Sequence, residues 1–131
     1  MTEFVEVKTA ELIGAALEYS VAMALDAHGQ ETGSSTLSDS KHWVIPGFAP
    51  MRWDDWTPST DWSQGGPLIE RYMVACDYGR PLADGEKPLW FAQVWKPYGG
   101  MHGDTPLIAA CRAIVAANLG ETALVPVELT K

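Results

Sequence analysis

The sequence has no long uncharged apolar run, few cysteines and histidines, and a shortage of basic side chains. No stretch approaches the roughly 18 apolar residues of a membrane-spanning helix, so we expect no membrane segment. The amino-terminal residues Met1–Glu6 carry acids where a secretory signal would carry Lys or Arg. These absences predict a protein of the cytoplasm.

Basic side chains number 9 against 17 acidic ones, which gives a formal net charge of −8. Proteins that bind nucleic acid usually neutralise phosphates with clustered Lys and Arg, whereas the basic residues here are scattered along the chain. The composition therefore disfavours direct nucleic-acid binding. An acidic chain can imitate nucleic acid, but a charge kept for solubility is commoner.

Cysteine and histidine are too few and too scattered to indicate a metal site. Cys76 and Cys111 form no CxxC unit, and in a cytoplasmic chain we expect buried thiols in place of a disulfide. His28, His42 and His102 each lack a second ligand at metal-binding spacing. The sequence thus predicts neither a metal nor a cofactor.

The apolar content of 47% over 131 residues suffices for one hydrophobic core and leaves little room for two domains. Alternating apolar residues predict strands, and apolar stripes bounded by capping residues and glycines predict helices. The predicted strands are Glu3–Lys8, Tyr72–Tyr78 and Leu89–Trp95, with His42–Ile45 as a fourth candidate, and the predicted main helices are Ala10–Ala27, capped by Thr9, and Pro106–Leu119. We expect one α+β domain, with a mainly antiparallel sheet of three to four strands and both helices on one face.

A long irregular segment, at about residues 29–66, contains four of the six tryptophans. Tryptophan is enriched at binding hot spots, and two acids between two indoles would make a patch suited to a basic partner. The equally weighted alternative is a satellite core that orders the segment. The candidate partner-binding residues are Trp53, Asp54, Asp55 and Trp56.

The strongest local signal of a site is the stretch Asp61–Pro67. A glycine pair before a helix start, here with Pro67 at its first position, would present backbone N–H groups to an anion. In the alternative interpretation the glycines form a tight turn, Asp61 caps the backbone and Trp62 fills the core. The candidate ligand-binding residues are Asp61, Trp62, Ser63, Gln64, Gly65 and Gly66.

A second glycine-bearing loop, Gly99–Gly103, precedes the helix Pro106–Leu119. We expect this loop to be flexible, and His102 beside Asp104 would suit acid–base chemistry at neutral pH. The alternative is an ordinary helix start that Asp104 or Thr105 caps. The candidate ligand-binding residues here are His102, Asp104 and Thr105.

The helix Pro106–Leu119 carries alanines where a solvated helix would carry Lys and Glu. On the strand Leu89–Trp95, Phe91 and Trp95 share a face that lies opposite the expected core face. Two apolar surfaces that must be buried predict self-association, and a homodimer is the commonest closed arrangement. The alternative is that the long Trp-bearing segment folds over the helix and buries it within one chain.

Four stretches of the sequence resemble the NinX-like phage proteins. They are Lys8-Thr9-Ala10-Glu11-Leu12, Gly14-Ala15-Ala16-Leu17, the run STDWSQGGPLIE at Ser59–Glu70, and the run DTPLIAACR at Asp104–Arg112. The resemblance implies a small accessory protein of phages and prophages, and it brings no catalytic residue.

No catalytic triad, nucleophile elbow, paired-carboxylate signature or dinucleotide fingerprint can be assembled from this sequence. We therefore assign no catalytic residue and favour a non-enzymatic phage or prophage accessory protein that binds a host or phage protein. The alternative is a protein that binds a small molecule or an anion through Asp61–Pro67 and His102–Thr105, with enzymatic activity left open.

Overall fold

Three helices and three small antiparallel sheets form an α+β fold over residues 3–30, 33, 42–79, 89–95 and 98–130, which are the residues that the computed structural model describes. The elements in chain order are β1 (Phe4–Lys8), α1 (Gly14–Ala24), β2 (His28–Gly29), β3 (His42–Val44), β4 (Met51–Arg52), α2 (Trp62–Tyr72), β5 (Ala75–Tyr78), β6 (Trp90–Trp95), β7 (Tyr98–Gly103), α3 (Pro106–Leu119) and β8 (Thr122–Pro126). The predicted fold class is confirmed. The prediction of a single sheet was wrong, because the strands divide into three sheets: β1–β8, β2–β3–β4 and β5–β6–β7.

Strand β1 pairs with the last strand, β8, from Phe4 opposite Pro126 to Lys8 opposite Thr122. The hydrogen bonding between these two segments continues past the end of β1. The Thr9 backbone N–H donates to the Glu121 carbonyl, and the Thr9 hydroxyl donates to the Gly120 carbonyl, both at 2.8 Å. The prediction that Thr9 caps a helix was wrong, since its hydroxyl bonds the Gly120 carbonyl and no backbone N–H of a helix.

Helix α1 covers Gly14–Ala24, which is shorter than the predicted Ala10–Ala27. A single 3-10 turn covers Thr9–Glu11, and the extended residue Ile13 then leads into Gly14, whose φ of +60° suits glycine. At the other end, the left-handed Asp26 (φ 61°) breaks the helical path before the predicted end.

The sheet β5–β6–β7 contains the predicted hairpin and one strand that was not predicted. Strands β5 and β6 pair from Ala75 opposite Gln93 to Tyr78 opposite Trp90, while residues 80–88 at the hairpin tip lie outside the described residues. The predicted start at Tyr72 was early, because helix α2 runs to that residue and Met73 ends it in the left-handed conformation. Strand β7 occupies the stretch that we expected to be a flexible glycine loop.

Helix α3 packs on the inner face of this sheet, and its alanines allow a very close approach. A β-carbon at Gly99 or Gly103 would collide with the α3 backbone at Ala113 or Ala109, so glycine is required at both contacts. Ala109 and Ala113 are fully buried. The alanine face that we expected to await a second copy is therefore covered by β7 within the same chain.

Within residues 29–66, the described part is more ordered than predicted. Strands β3 and β4 pair antiparallel, β2 adds to their sheet, and α2 begins at Trp62. The candidate strand at residues 42–45 is confirmed as β3, while residues 31–32 and 34–41 lie outside the description. No helix among the described ranges is both long enough and apolar enough to cross a membrane.

Candidate functional site

A cleft of about 440 Å³ opens where the start of α1 faces the segment between β4 and α2. Its lining residues are Ile13, Gly14, Ala15, Glu18, Trp53, Asp54, Trp56, Thr57, Ser59, Thr60 and Ile108. The walls combine branched aliphatic side chains and indole rings with hydroxyl and carboxyl groups. A volume of this size lies within the range of roughly 300–1,000 Å³ that small-molecule sites occupy.

Glu18 and Ser59 are buried polar residues of this cleft, and Glu18, with 6% of its surface exposed, is the one that can carry a charge. Its Oε1 accepts a hydrogen bond from the Ser59 backbone N–H at 3.1 Å, and the Ser59 hydroxyl also bonds the carboxyl group. Burial raises the pKa of the Glu18 carboxyl, and the hydrogen bonds from Ser59 offset part of that shift. A carboxyl group with a raised pKa in a cleft is able to exchange a proton or to pair with a cation.

The two indoles of the predicted acidic patch are packed against the protein. Trp56 is 1% exposed, stacks edge-on with Phe48, and donates its indole N–H to the Glu18 backbone carbonyl at 2.9 Å. Trp53 is half-buried against Tyr19 and Trp43, at ring-centroid distances of 5.9 and 5.3 Å. Trp56 belongs to the main hydrophobic core and Trp53 packs against that core, so Trp56 has almost no surface to offer a protein partner.

Asp54 and Asp55 remain exposed between these indoles. Asp54 lines the cleft, whereas Asp55 does not. The backbone carbonyl of Asp55 accepts a hydrogen bond from the Gln64 side-chain amide at 2.7 Å. Of these two neighbouring carboxylates, Asp54 is therefore the one that a ligand in the cleft would contact.

The stretch Asp61–Gly66 forms the N-cap and the first turns of α2. Gly65 and Gly66 therefore lie within the helix and do not form a loop before it. Asp61 is the N-cap: its Oδ1 accepts from the Ser63 N–H at 2.9 Å and from the Ser63 hydroxyl at 2.7 Å. Placing Pro67 at the first helical position was wrong, because the cap at Asp61 starts the helix five residues earlier. The expectation that Trp62 fills the core was also wrong, since 58% of it is exposed.

The remaining residues of that stretch hold α2 in place. Gln64 accepts a hydrogen bond from the Thr57 backbone N–H at 2.7 Å. A β-carbon at Gly65 would lie 2.5 Å from Leu107 Cδ2, so this glycine allows α2 to approach the start of α3. Gly66 makes no comparable approach within the described chain.

The residues of the second predicted site differ in their surroundings. Thr105 caps α3 through a hydrogen bond from the Ile108 N–H to its Oγ1 at 3.1 Å, which confirms one of the two expected caps. The His102 ring instead lies over Phe91 on the outer sheet face, at a centroid distance of 4.7 Å. Asp104 is exposed and acts electrostatically on Arg112. Neither His102 nor a residue of the stretch Asp61–Gly66 lines the cleft beside α1.

The outer face of the β5–β6–β7 sheet, opposite α3, carries a row of aromatic side chains that we call the aromatic face. It consists of Phe91, Trp95, Tyr98 and His102. Trp95 and Tyr98 are opposite each other in register with rings 5.6 Å apart, and they are 62% and 57% exposed. Exposed neighbouring aromatic rings are unusual on a surface without a binding role.

Sequence reasoning found Phe91 and Trp95 as a surface but missed Glu18 and Tyr98. Glu18 is the only acid of α1 and stands between Leu17 and Tyr19, so a lone charge in an apolar helix was the available signal. Its partner Ser59 is 41 positions away, a separation that no local pattern reveals. Among the described residues, no three His, Cys, Asp or Glu side chains come together in a group able to hold a metal ion.

These features define a small α+β protein that has an acidic cleft beside α1 and an exposed aromatic face on the β5–β6–β7 sheet. A protein-family model described as "Bacteriophage P22, NinX" matches residues 8–118. The chain therefore belongs to this phage protein family, as the four motifs of the sequence suggested. No curated protein matches the chain significantly.

Proposed function

We propose that the protein is a non-enzymatic phage accessory protein that binds a protein partner through the aromatic face. The observation that carries this proposal is the pair Trp95 and Tyr98, whose rings lie side by side and are more than half exposed. Aromatic side chains supply large contact area at little entropic cost, and they dominate binding hot spots. We prefer this location to the Trp53–Trp56 patch, because Trp56 is 1% exposed and Trp53 is half-buried.

The charge of the chain favours a basic protein as the partner. The net charge is −8, and Asp77 stands opposite Phe91 in register on the same sheet. A basic surface would be attracted to this chain, whereas the phosphates of a nucleic acid would be repelled. We place this encounter in the host cytoplasm.

The test uses two tryptophans that are exposed to nearly the same extent. Trp95 on the aromatic face is 62% exposed, and Trp62 at the start of α2 is 58% exposed. A photo-crosslinking residue at each position, in phage-infected cells, should crosslink one basic protein from position 95 and not from position 62. With the purified partner, Trp95→Ala should weaken binding by about 2 kcal/mol or more, and Trp62→Ala should leave it unchanged.

Equal crosslinking from both positions, or equal affinity of both alanine variants, would contradict the proposal. An acidic partner would contradict the electrostatic part of it. Salt offers a further check, because attraction between a basic partner and this chain should weaken as ionic strength rises.

A homodimer is the second candidate, and the outward position of Phe91 and Trp95 is the observation in its favour. Repulsion between two copies that each carry −8 counts against it. Light scattering after size exclusion decides the matter: a mass near 14.3 kDa indicates a monomer, and a doubled mass that Trp95→Ala halves indicates a dimer through this face.

A further inference from the structure

We propose that the cleft beside α1 binds a small organic cation: a protonated amine attached to an apolar body. This site is independent of the aromatic face, since its lining contains no residue of β5, β6 or β7. The charge of the lining, the burial of Glu18 and the position of one indole ring all favour such a ligand.

Both ionisable side chains in the lining are acids. Glu18 lies inside the cleft and Asp54 is exposed beside it, and no Lys, Arg or His of the described residues belongs to the lining. Within the described chain, the partner of the Glu18 carboxyl is Ser59, which is a neutral residue. A buried carboxylate gains most from a cation that enters its own low-dielectric surroundings.

The rest of the cleft suits the body of such a ligand. Trp53 contributes an indole ring, which is the aromatic side chain that attracts cations most strongly. Contacts with Tyr19 and Trp43 hold that ring in place before any ligand arrives. Ile13 and Ile108 provide apolar contact for carbon atoms of the ligand.

Two alternatives to a cation site have to be considered for this cleft. The cleft would bind an anion, or Glu18 would have only a structural role. The first turn of α1 also lies in the lining, at Gly14 and Ala15, and a helix start attracts anions. The carboxylates of Glu18 and Asp54 oppose an anion in the same space. Glu18 also fixes the segment near Ser59, a structural role that Glu18→Gln preserves because the amide oxygen still accepts the Ser59 N–H.

Three probes of one shape and different charge test the proposal: benzylamine, benzyl alcohol and benzoate. Backbone amide chemical shifts are followed by NMR as each probe is added at millimolar concentration. We expect benzylamine alone to move the signals of Gly14, Ala15 and Thr60, and its affinity should rise with pH as Glu18 ionises, because the amine stays charged there.

Variants identify the groups responsible. Glu18→Gln should weaken benzylamine binding by about tenfold or more, and Asp54→Asn by about two- to threefold, since an exposed carboxylate contributes less. Asp55→Asn is the matched control: it removes a neighbouring exposed charge outside the cleft and should leave binding unchanged. If Glu18→Gln does not fold, the comparison of Asp54→Asn with Asp55→Asn still decides.

Tighter binding of benzoate, equal binding of the three probes, or no binding of benzylamine would each overturn the proposal. A loss in Asp55→Asn equal to that in Asp54→Asn would also overturn it, by assigning the effect to overall charge. None of these results depends on the aromatic face, so the two proposals fail separately.

Discussion

A β-carbon at Gly99 on β7 would stand 2.5 Å from the carbonyl oxygen of Ala113 on α3. It would also stand 2.6 Å from the backbone nitrogen of Ala117. Both neighbours are backbone atoms of a helix, which cannot move aside as a flexible side chain can. The contact between this strand and this helix therefore depends on glycine.

We expect Gly99→Ala to lower the free energy of unfolding by about 1–3 kcal/mol, which is the usual cost of overpacking a tight interface. The control is Gly66→Ala in α2, where a β-carbon would meet no described atom within 4 Å. There alanine should stabilise the helix by about 0.5–1 kcal/mol. Urea unfolding of both variants measures the difference, and equal stability would contradict the packing of β7 on α3.

Trp56 and Trp43 are both fully buried but differ in their hydrogen bonds. The Trp56 indole N–H donates to the Glu18 carbonyl, whereas the Trp43 indole N–H has no partner in the described part of the chain. Trp56→Phe should therefore cost about 1 kcal/mol more than Trp43→Phe, because only the first change removes a hydrogen bond. Thermal unfolding of the two variants tests this, and a larger loss for Trp43→Phe would refute it.

The stability of the protein should depend on the ionisation of Glu18. Burial raises the pKa of this carboxyl, so the folded state holds its proton more tightly than the unfolded state does. The contribution of Glu18 to stability is thus full below the unfolded-state pKa and is lost as pH rises through the raised folded-state pKa.

The glutamine of the Glu18→Gln variant cannot ionise, so this variant should not lose stability as the pH rises through the folded-state pKa of Glu18. The free energy of unfolding of this variant, relative to the natural chain, should increase from acid towards neutral pH. Chemical unfolding at several pH values measures the difference, in which the other carboxylates cancel. Parallel pH profiles would mean that Glu18 titrates normally in the folded protein.

The two thiols should differ in their accessibility to reagents. Cys111 is buried, and burial together with the Glu18 charge raises the pKa of its thiol, while Cys76 is only half-buried. Burial and Asp77 raise the pKa of Cys76 as well, so its reaction should be slow. Ellman's reagent should modify one thiol in the folded protein and two in urea. Cys76→Ser should remove the native reaction, and a persistent signal would contradict the burial of Cys111.

The parts of the fold that sequence reasoning located are those with local signals. Helix α3 has a capping Thr105, Pro106 in its first turn and Gly120 after its end, and its predicted bounds match the observed ones. The hairpin β5–β6 follows from alternating apolar residues, with Ala92 and Val94 on the buried face as expected.

The missed parts depend on contacts between distant residues. Strand β7 has glycines where strands usually have branched or aromatic residues, and its stability comes from α3 packed on it. The glycine pair at Gly65 and Gly66 suggested a turn, but the Asp61 cap starts the helix before it. The cleft remained hidden because Glu18 and Ser59 meet only in the folded chain.

The pairing of β1 with β8 means that the first strand is synthesised long before the strand with which it pairs. Lys8 and Pro126 are separated by 118 positions, and the pair of strands cannot form until the second one has been translated. At about 5–20 residues per second, the first strand waits roughly 6–24 s with both of its edges open. During that interval Phe4–Lys8 lacks its partner strand, and an unpaired strand edge is able to pair with another chain.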